Sequence, residues 1–143
     1  MNPDTLQYRV AAVQSATPVQ LVCMLYDTLV RDLTRALDAI DSKNIETRSA
    51  EVKHALLVLD QLEAWLDFNN GGEAATSLSR FYAVARSRIV EGHAKVDPAL
   101  FQEQIRLFLE VRSAWEQAEA ARKASEGSAA PKMQSSSSLS CSA

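Results

Sequence analysis

The sequence predicts an all-α protein: an antiparallel up-down four-helix bundle with a short extra N-terminal helix and a disordered C-terminal tail. Four long stretches repeat apolar residues at steps of three and four, which is the spacing of one face of a helix. Pro and Gly, which interrupt helices, fall mainly at the edges of these stretches. No segment alternates apolar and polar residues for long enough to predict a strand.

The first two helices begin at capping residues. An Asn-Pro pair at residues 2–3 predicts a short helix that ends near residue 13. Thr17, Pro18 and Gln20 form a stronger signal, because Thr17 can cap the backbone while Gln20, three residues on, completes a capping box. We therefore expect a long helix to begin at Pro18.

The later helices are separated in the same way. Asn44 can cap a helix that begins at Ile45, and the Asn-Asn-Gly-Gly run at residues 69–72 predicts a break before the next one. The Asp-Pro pair at residues 97–98 predicts the start of the last helix. We expect Gly92 to end the helix before it, with close packing of helices as the alternative.

Each long helix carries one apolar stripe, with Arg48 and Gln104 as the two polar exceptions. Short links between four helices of similar length force neighbours to run antiparallel, which gives the up-down-up-down bundle. The stripe residues are Val22, Tyr26, Leu29, Leu33, Ala36, Ile40; Ile45, Val52, Ala55, Leu59, Leu62, Leu66; Ala74, Leu78, Phe81, Ala85, Ile89; and Phe101, Phe108, Val111, Trp115, Ala118.

Composition limits the classes of function that the chain can have. The chain has 143 residues, 47% of them hydrophobic, which favours one domain with a real core. A net charge of −3 disfavours non-specific nucleic-acid binding. Cys23 and Cys141 lie too far apart and are too few for a disulfide framework or a four-cysteine zinc site, and they fit a reducing compartment.

The sequence shows no secretory signal and no apolar run near the roughly 20 residues of a membrane helix. We therefore expect a soluble, cytoplasmic protein with no membrane insertion.

The chain divides into three predicted parts: an N-terminal cap segment (1–16), a four-helix bundle (17–124) and a tail (125–143). The tail is rich in Ser and has almost no apolar residues, so it cannot bury enough surface to offset its chain entropy.

Signatures of catalysis are weak. Glu51 and His54 have the Glu-x-x-His spacing of di-metal bundles, but the second such pair is missing, and both are interpreted as exposed residues on a solvated face. A Ser or Cys nucleophile with a His base stays open from sequence alone, and Cys23 is better explained as a small buried hydrophobe. We expect no metal and no cofactor.

Surplus apolar residues lie off the stripes. They are Leu21, Met24, Leu57, Val58 and Trp65. Two interpretations stay open for them: an exposed apolar patch that binds a partner, or a core contact broader than one stripe.

Three blocks of residues resemble the flagellin-specific export chaperones, the FliS family, from about Tyr8 to Ala118. The blocks are Tyr8, Val13, Ser-Ala-Thr-Pro at 15–18 and LVCMLYD at 21–27; then Leu66-Asp67, Gly71-Gly72-Glu73, Leu78 and Phe81-Tyr82; then Asp97, Leu100, Arg112 and Trp115. The resemblance implies a non-enzymatic chaperone that binds the C-terminal segment of flagellin, prevents premature polymerisation and delivers it to the flagellar type III export gate.

The resemblance also implies a groove for an amphipathic guest helix. The expected partner-binding residues are Tyr8 and Val13 in the cap, Leu21, Met24, Leu25 and Tyr26 along the groove, and Leu57, Val58, Trp65 and Tyr82 from neighbouring helices. For each, internal packing is the alternative. Rival functions are a metal-dependent bundle enzyme and an adaptor or chaperone for a different secreted subunit. A monomer and a homodimer are both compatible with the sequence.

Overall fold

The computed structural model describes the backbone of residues 16–142 and the side chains of residues 16–127. Four helices run through this part of the chain: α1 (Pro18–Asp41), α2 (Ile45–Ala64), α3 (Phe68–Lys95) and α4 (Pro98–Ser142). The predicted all-α four-helix fold is confirmed. The predicted short N-terminal helix lies outside the described residues. None of the described helices is long and apolar enough to cross a membrane.

The predicted caps form as expected. The Thr17 hydroxyl accepts from the Gln20 backbone N–H at 3.1 Å, and the Gln20 side chain accepts from the Thr17 N–H at 2.9 Å, which completes the capping box. The Asn44 side chain caps α2 by accepting from the Thr47 N–H at 3.1 Å. Asp97 does the same for α4. These bonds satisfy backbone donors that helix starts otherwise leave open.

The helices form a ring. α1 packs against α2 and α4, and α3 packs against α2 and α4 on the other side. The described links are two or three residues long, so sequential helices run antiparallel. Each helix therefore buries a sector that faces two neighbours.

Most stripe residues lie in the core, and so do the two polar exceptions. Arg48 is 8% exposed, and its Nε donates to His93 Nδ1 at 3.2 Å, which joins α2 to α3. Gln104 is 1% exposed, and its side-chain oxygen has no hydrogen-bond partner among the described residues. The stripes of α2 and α4 are therefore continuous, although not entirely apolar.

Gly72 and Gly92 have different structural roles. Gly72 has φ 51° and ψ −126° and interrupts α3 after its first turn, so the predicted break falls inside that helix rather than before it. The expectation that Gly92 ends a helix is wrong: α3 continues to Lys95. A Cβ on Gly92 would lie 3.1 Å from the Leu100 Cβ, so close packing against the start of α4 explains this glycine.

The last helix runs past the predicted boundary of the tail. α4 extends to Ser142, whereas the sequence predicts disorder from residue 125. Arg122 pairs with Glu119 and Glu126, three and four residues away, and such pairs support a helix across that boundary. The division of the chain into cap, bundle and tail stays a prediction.

The α3–α4 link holds a β-branched residue in a strained backbone conformation. Val96 has φ 53° and ψ 50°, a left-handed conformation that is costly for a β-branched residue, and its side chain is 44% exposed. We expect Val96→Asn to raise the free energy of unfolding by about 1 kcal/mol, because Asn tolerates this conformation. Urea unfolding measures the change.

Val90→Asn is the matched control, since Val90 is 47% exposed but helical. It should give no gain, because Val and Asn have similar helix propensities. Equal gains in both variants would show that strain at residue 96 is not the cause.

Candidate functional site

An open apolar groove lies at the end of the bundle where α1 begins, α2 ends and α3 begins. Its volume is about 230 Å³. We call it the end groove, and it is lined by Val22, Leu62, Trp65, Leu66, Asp67, Gly71, Ala74, Ala75, Leu78, Tyr82 and Trp115. Asp67 is the one charged residue in this lining, so the groove favours an apolar occupant.

A polar chain ties three helices together beneath the end groove. The Trp115 indole N–H donates to the Tyr26 hydroxyl at 3.1 Å, and the hydroxyl oxygens of Tyr26 and Tyr82 lie 2.7 Å apart. Phe108 packs edge-on against Tyr26 with ring centroids 5.3 Å apart, and stacks on Tyr82 at 6.3 Å. Burial raises the pKa of both tyrosines, so both hydroxyls keep their protons at neutral pH.

The α2–α3 link shapes one wall of the end groove. The Asp67 carboxylate accepts from the backbone N–H groups of Asn69 and Asn70 and from the Asn70 side chain at 2.7 Å. The bond from the Asn70 side chain is the main reason that the Asp67 pKa is lowered, so this carboxylate stays ionised. A Cβ on Gly71 would lie 3.0 Å from the Ala75 Cβ, so a larger residue at position 71 would crowd this wall of the groove.

A second groove, which we call the side groove, lies between α1 and α4 and measures about 300 Å³. Its lining is Val19, Gln20, Cys23, Met24, Arg112, Glu116 and Glu119. Arg112 bridges the two helices: its Nε donates to Asp27 Oδ1 at 2.6 Å and its Nη2 to Asp27 Oδ2 at 3.1 Å. Burial raises the pKa of the Cys23 thiol, so it stays neutral and is a poor nucleophile.

The structure brings only some of the predicted site residues together. Trp65 and Tyr82 line the end groove, and Met24 borders the side groove. Leu21 and Leu25 are half-buried on α1, while Leu57 is 57% exposed and lines neither groove. Tyr8 and Val13 lie outside the described residues.

Three of the predicted groove residues are buried in the core. Tyr26 is 0% exposed, Val58 is 6% exposed and Tyr82 is 3% exposed, and all three belong to the main core cluster. The physical reason is that each helix packs against two neighbours, so its buried sector is wider than one stripe. Tyr82 alone of the three also borders the end groove.

Six of the predicted stripe residues line the end groove, and four of these six are only partly buried. The four are Val22, Leu66, Leu78 and Trp115. All four pack against the core cluster yet are only partly buried. The available signal was position: Val22 begins the first stripe, Leu66 ends the second and Leu78 lies near the start of the third, so these three belong at one end of an antiparallel bundle.

His54 is exposed, as the sequence predicts, whereas Glu51 is half-buried, and both side chains contact polar groups of α1. His54 Nδ1 lies 2.5 Å from the Oδ2 of Asp32, a carboxylate with 3% side-chain exposure. Glu51 is 3.9 Å from the guanidinium of Arg35. Within the described residues, no group of three or more His, Cys, Asp or Glu could hold a metal ion.

Comparisons with known proteins agree with one another. The model of the family described as "Flagellar protein FliS" matches residues 1–122. The chain is 32% identical over 108 residues to the flagellar secretion chaperone FliS of Salmonella typhimurium, an alignment that covers 75% of this chain and 80% of the relative. It is 29% identical over 128 residues to the flagellar secretion chaperone FliS of Bacillus subtilis, covering 89% of this chain and 94% of the relative.

Substitutions at Val58 and Leu57, which are adjacent on α2, test which of the two lies in the core. We expect Val58→Glu to lower the free energy of unfolding by about 3 kcal/mol or more, because it buries an unpaired carboxylate. Leu57→Glu should change it by no more than about 0.5 kcal/mol, since Leu57 is 57% exposed. Thermal and urea unfolding followed by circular dichroism measure both; a stable Val58→Glu variant would contradict the burial of that side chain.

Proposed function

The chain belongs to the FliS family of flagellar secretion chaperones, and we propose that it binds the C-terminal segment of flagellin in the bacterial cytoplasm. In this role it prevents premature polymerisation and aids delivery to the flagellar type III export gate. The role requires binding and release, with no catalytic step. The observation that carries the proposal is the apolar end groove on a helical scaffold.

The groove suits a guest that folds as it binds. Ordering a disordered segment costs several kcal/mol of the gross interaction energy, so the interface must offer substantial apolar contact. Trp65, Leu66, Leu78 and Trp115 present such surface on three elements of the bundle. An amphipathic helix can lay its apolar face into a groove of this kind.

Apolar side chains outside the end groove extend the proposed contact. Met24 is 38% exposed beside the side groove, and Leu57 is 57% exposed on α2. Leu21 and Leu25 are half-buried on α1. We propose that the client is longer than one helical turn and covers these residues as well.

The N-terminal segment is proposed as a cap for the same groove. Residues 1–16 lead directly into α1, and Val22 in the second turn of α1 lines the end groove. Tyr8 and Val13 supply apolar side chains that can occupy or border it until the client arrives. In solution the free protein is a monomer or a homodimer, and exposed apolar surface on a free chaperone is compatible with both.

Isothermal titration with a peptide of the host flagellin's C-terminal segment tests the proposal. We expect tight one-to-one binding with a large negative heat-capacity change, the mark of apolar burial. A folded, helical sample that does not bind this peptide would overturn the flagellin proposal. Binding of a different secreted flagellar subunit instead would assign the groove to that client.

Trp65 is the residue of the end groove best suited to a substitution test. It is 44% exposed, so removing it should spare the fold. We expect Trp65→Ser to weaken binding of the flagellin peptide by about 2 kcal/mol, roughly 30-fold, as for an aromatic anchor.

Val90→Ser is the matched control, since Val90 is 47% exposed and lies outside both grooves. Its affinity should equal that of the wild type. An equal loss in both variants would indicate non-specific adhesion to apolar surface rather than binding in the end groove.

A further inference from the structure

A further cavity, about 350 Å³ in volume, lies between α2 and α3 beside the end groove. We call it the α2–α3 cavity, and it is lined by Leu59, Asp60, Glu63, Ser79, Tyr82, Ala83 and Arg86. Tyr82 borders both this cavity and the end groove. The two linings also meet at consecutive residues, Leu62 and Glu63 on α2 and Leu78 and Ser79 on α3. One bound segment can therefore occupy the end groove and reach into this cavity.

The charges that line the α2–α3 cavity do not balance. The lining holds two carboxylates, Asp60 and Glu63, and one guanidinium, Arg86. Asp60 forms an ion pair with Arg86. Among the described residues, no Lys, Arg or His forms an ion pair with Glu63. The cavity therefore has one negative charge in excess, and that charge is on Glu63.

The Glu63 carboxylate lies at the rim of the cavity. The Ser79 hydroxyl donates to Glu63 Oε1 at 2.8 Å, and this bond draws the carboxylate across from α2 towards α3. Glu63 is exposed, whereas Leu59 and Tyr82 are 1% and 3% exposed and form the floor. Burial is the main cause of the raised pKa of Tyr82, and the negative charge of Glu63 adds to it, so this charge acts on the floor as well.

A long basic side chain matches this arrangement. The methylene groups of Lys or Arg pack on apolar surface while the charged end stays in contact with water. In the α2–α3 cavity, Leu59 and Ala83 offer apolar surface, and Glu63 offers the opposite charge at the rim.

We propose that the α2–α3 cavity receives a Lys or Arg side chain of the client and that Glu63 pairs with its charge. This inference rests on the proposed function, because the client is the segment bound in the end groove. The apolar contacts of that groove accept many registers. A single carboxylate at a fixed place selects the register that brings a basic residue to it. Because Glu63 is exposed, the pair adds little affinity, and it acts mainly on the association rate and its dependence on salt.

Glu63→Gln in the full chain tests the inference, because it removes the charge and keeps an oxygen that can accept from Ser79. Binding of the flagellin C-terminal peptide at low salt should weaken about two- to fivefold, the range of an exposed ion pair, mainly through slower association. At high salt the variant and the wild type should bind equally, because salt screens exposed charges. Unchanged binding at low salt, or a loss that persists at high salt, would overturn the inference.

Glu103→Gln is the matched control. Glu103 is exposed on α4, lines none of the three cavities and forms no ion pair among the described residues. The substitution removes the same charge, so it should leave the affinity unchanged. An equal loss in both variants would show that the overall charge of the chain acts on the peptide, and this would overturn the assignment to Glu63.

Substitution of the peptide identifies the paired residue. Each Lys or Arg of the peptide is replaced by Gln in turn and titrated against the wild type and Glu63→Gln. One replacement should weaken binding to the wild type and cause no further loss with Glu63→Gln, as expected when both changes remove one contact. Additive losses for every replacement would overturn the inference. A wild-type chain that does not bind the peptide at all overturns the proposed function, whereas wild-type binding that is insensitive to Glu63→Gln overturns the inference alone.

Discussion

The buried contact between the hydroxyls of Tyr26 and Tyr82 sets the geometry of the end groove. These two oxygens, 2.7 Å apart, join α1 to α3 across the bundle, and the Trp115 indole adds α4. A polar group in a core must be paired, so the three helices cannot shift independently without leaving a donor or an acceptor unsatisfied. Phe108 fills the space between the two tyrosine rings and keeps them at this depth. The floor of the groove is therefore rigid.

The two ends of the bundle differ in packing. At the far end, Gly92 lets the start of α4 approach α3 closely, and Arg48 bonds to His93 across α2 and α3. At the groove end, Gly72 breaks α3 after its first turn, so the helix leaves the surface beside Trp65 uncovered. Close packing at one end stabilises the scaffold, while the break at the other leaves apolar surface for a partner. A guest segment that loses conformational entropy on binding gains the most affinity from a host that is already rigid.

Local signals in the sequence predict the helices well, because caps and stripes depend on neighbours along the chain. Thr17 and Asn44 begin helices where their side chains reach backbone donors. Placement across helices is different. Val58 and Leu57 are adjacent and both apolar, yet Val58 is buried and Leu57 is exposed. The position of the neighbouring helices determines which of the two is buried. Trp115 lies near the end of a predicted stripe, and its place in the groove depends on α1 and α3, which lie beside it.

A chaperone for export must hold its client and also release it. A groove whose lining is apolar except for Asp67 gives affinity without directional contacts, and such contacts tolerate many registers. Buried ion pairs would fix the register, but they carry a large desolvation cost on binding. An apolar lining avoids that cost, because its affinity comes from the apolar area that the client covers, and release then separates no buried ion pair.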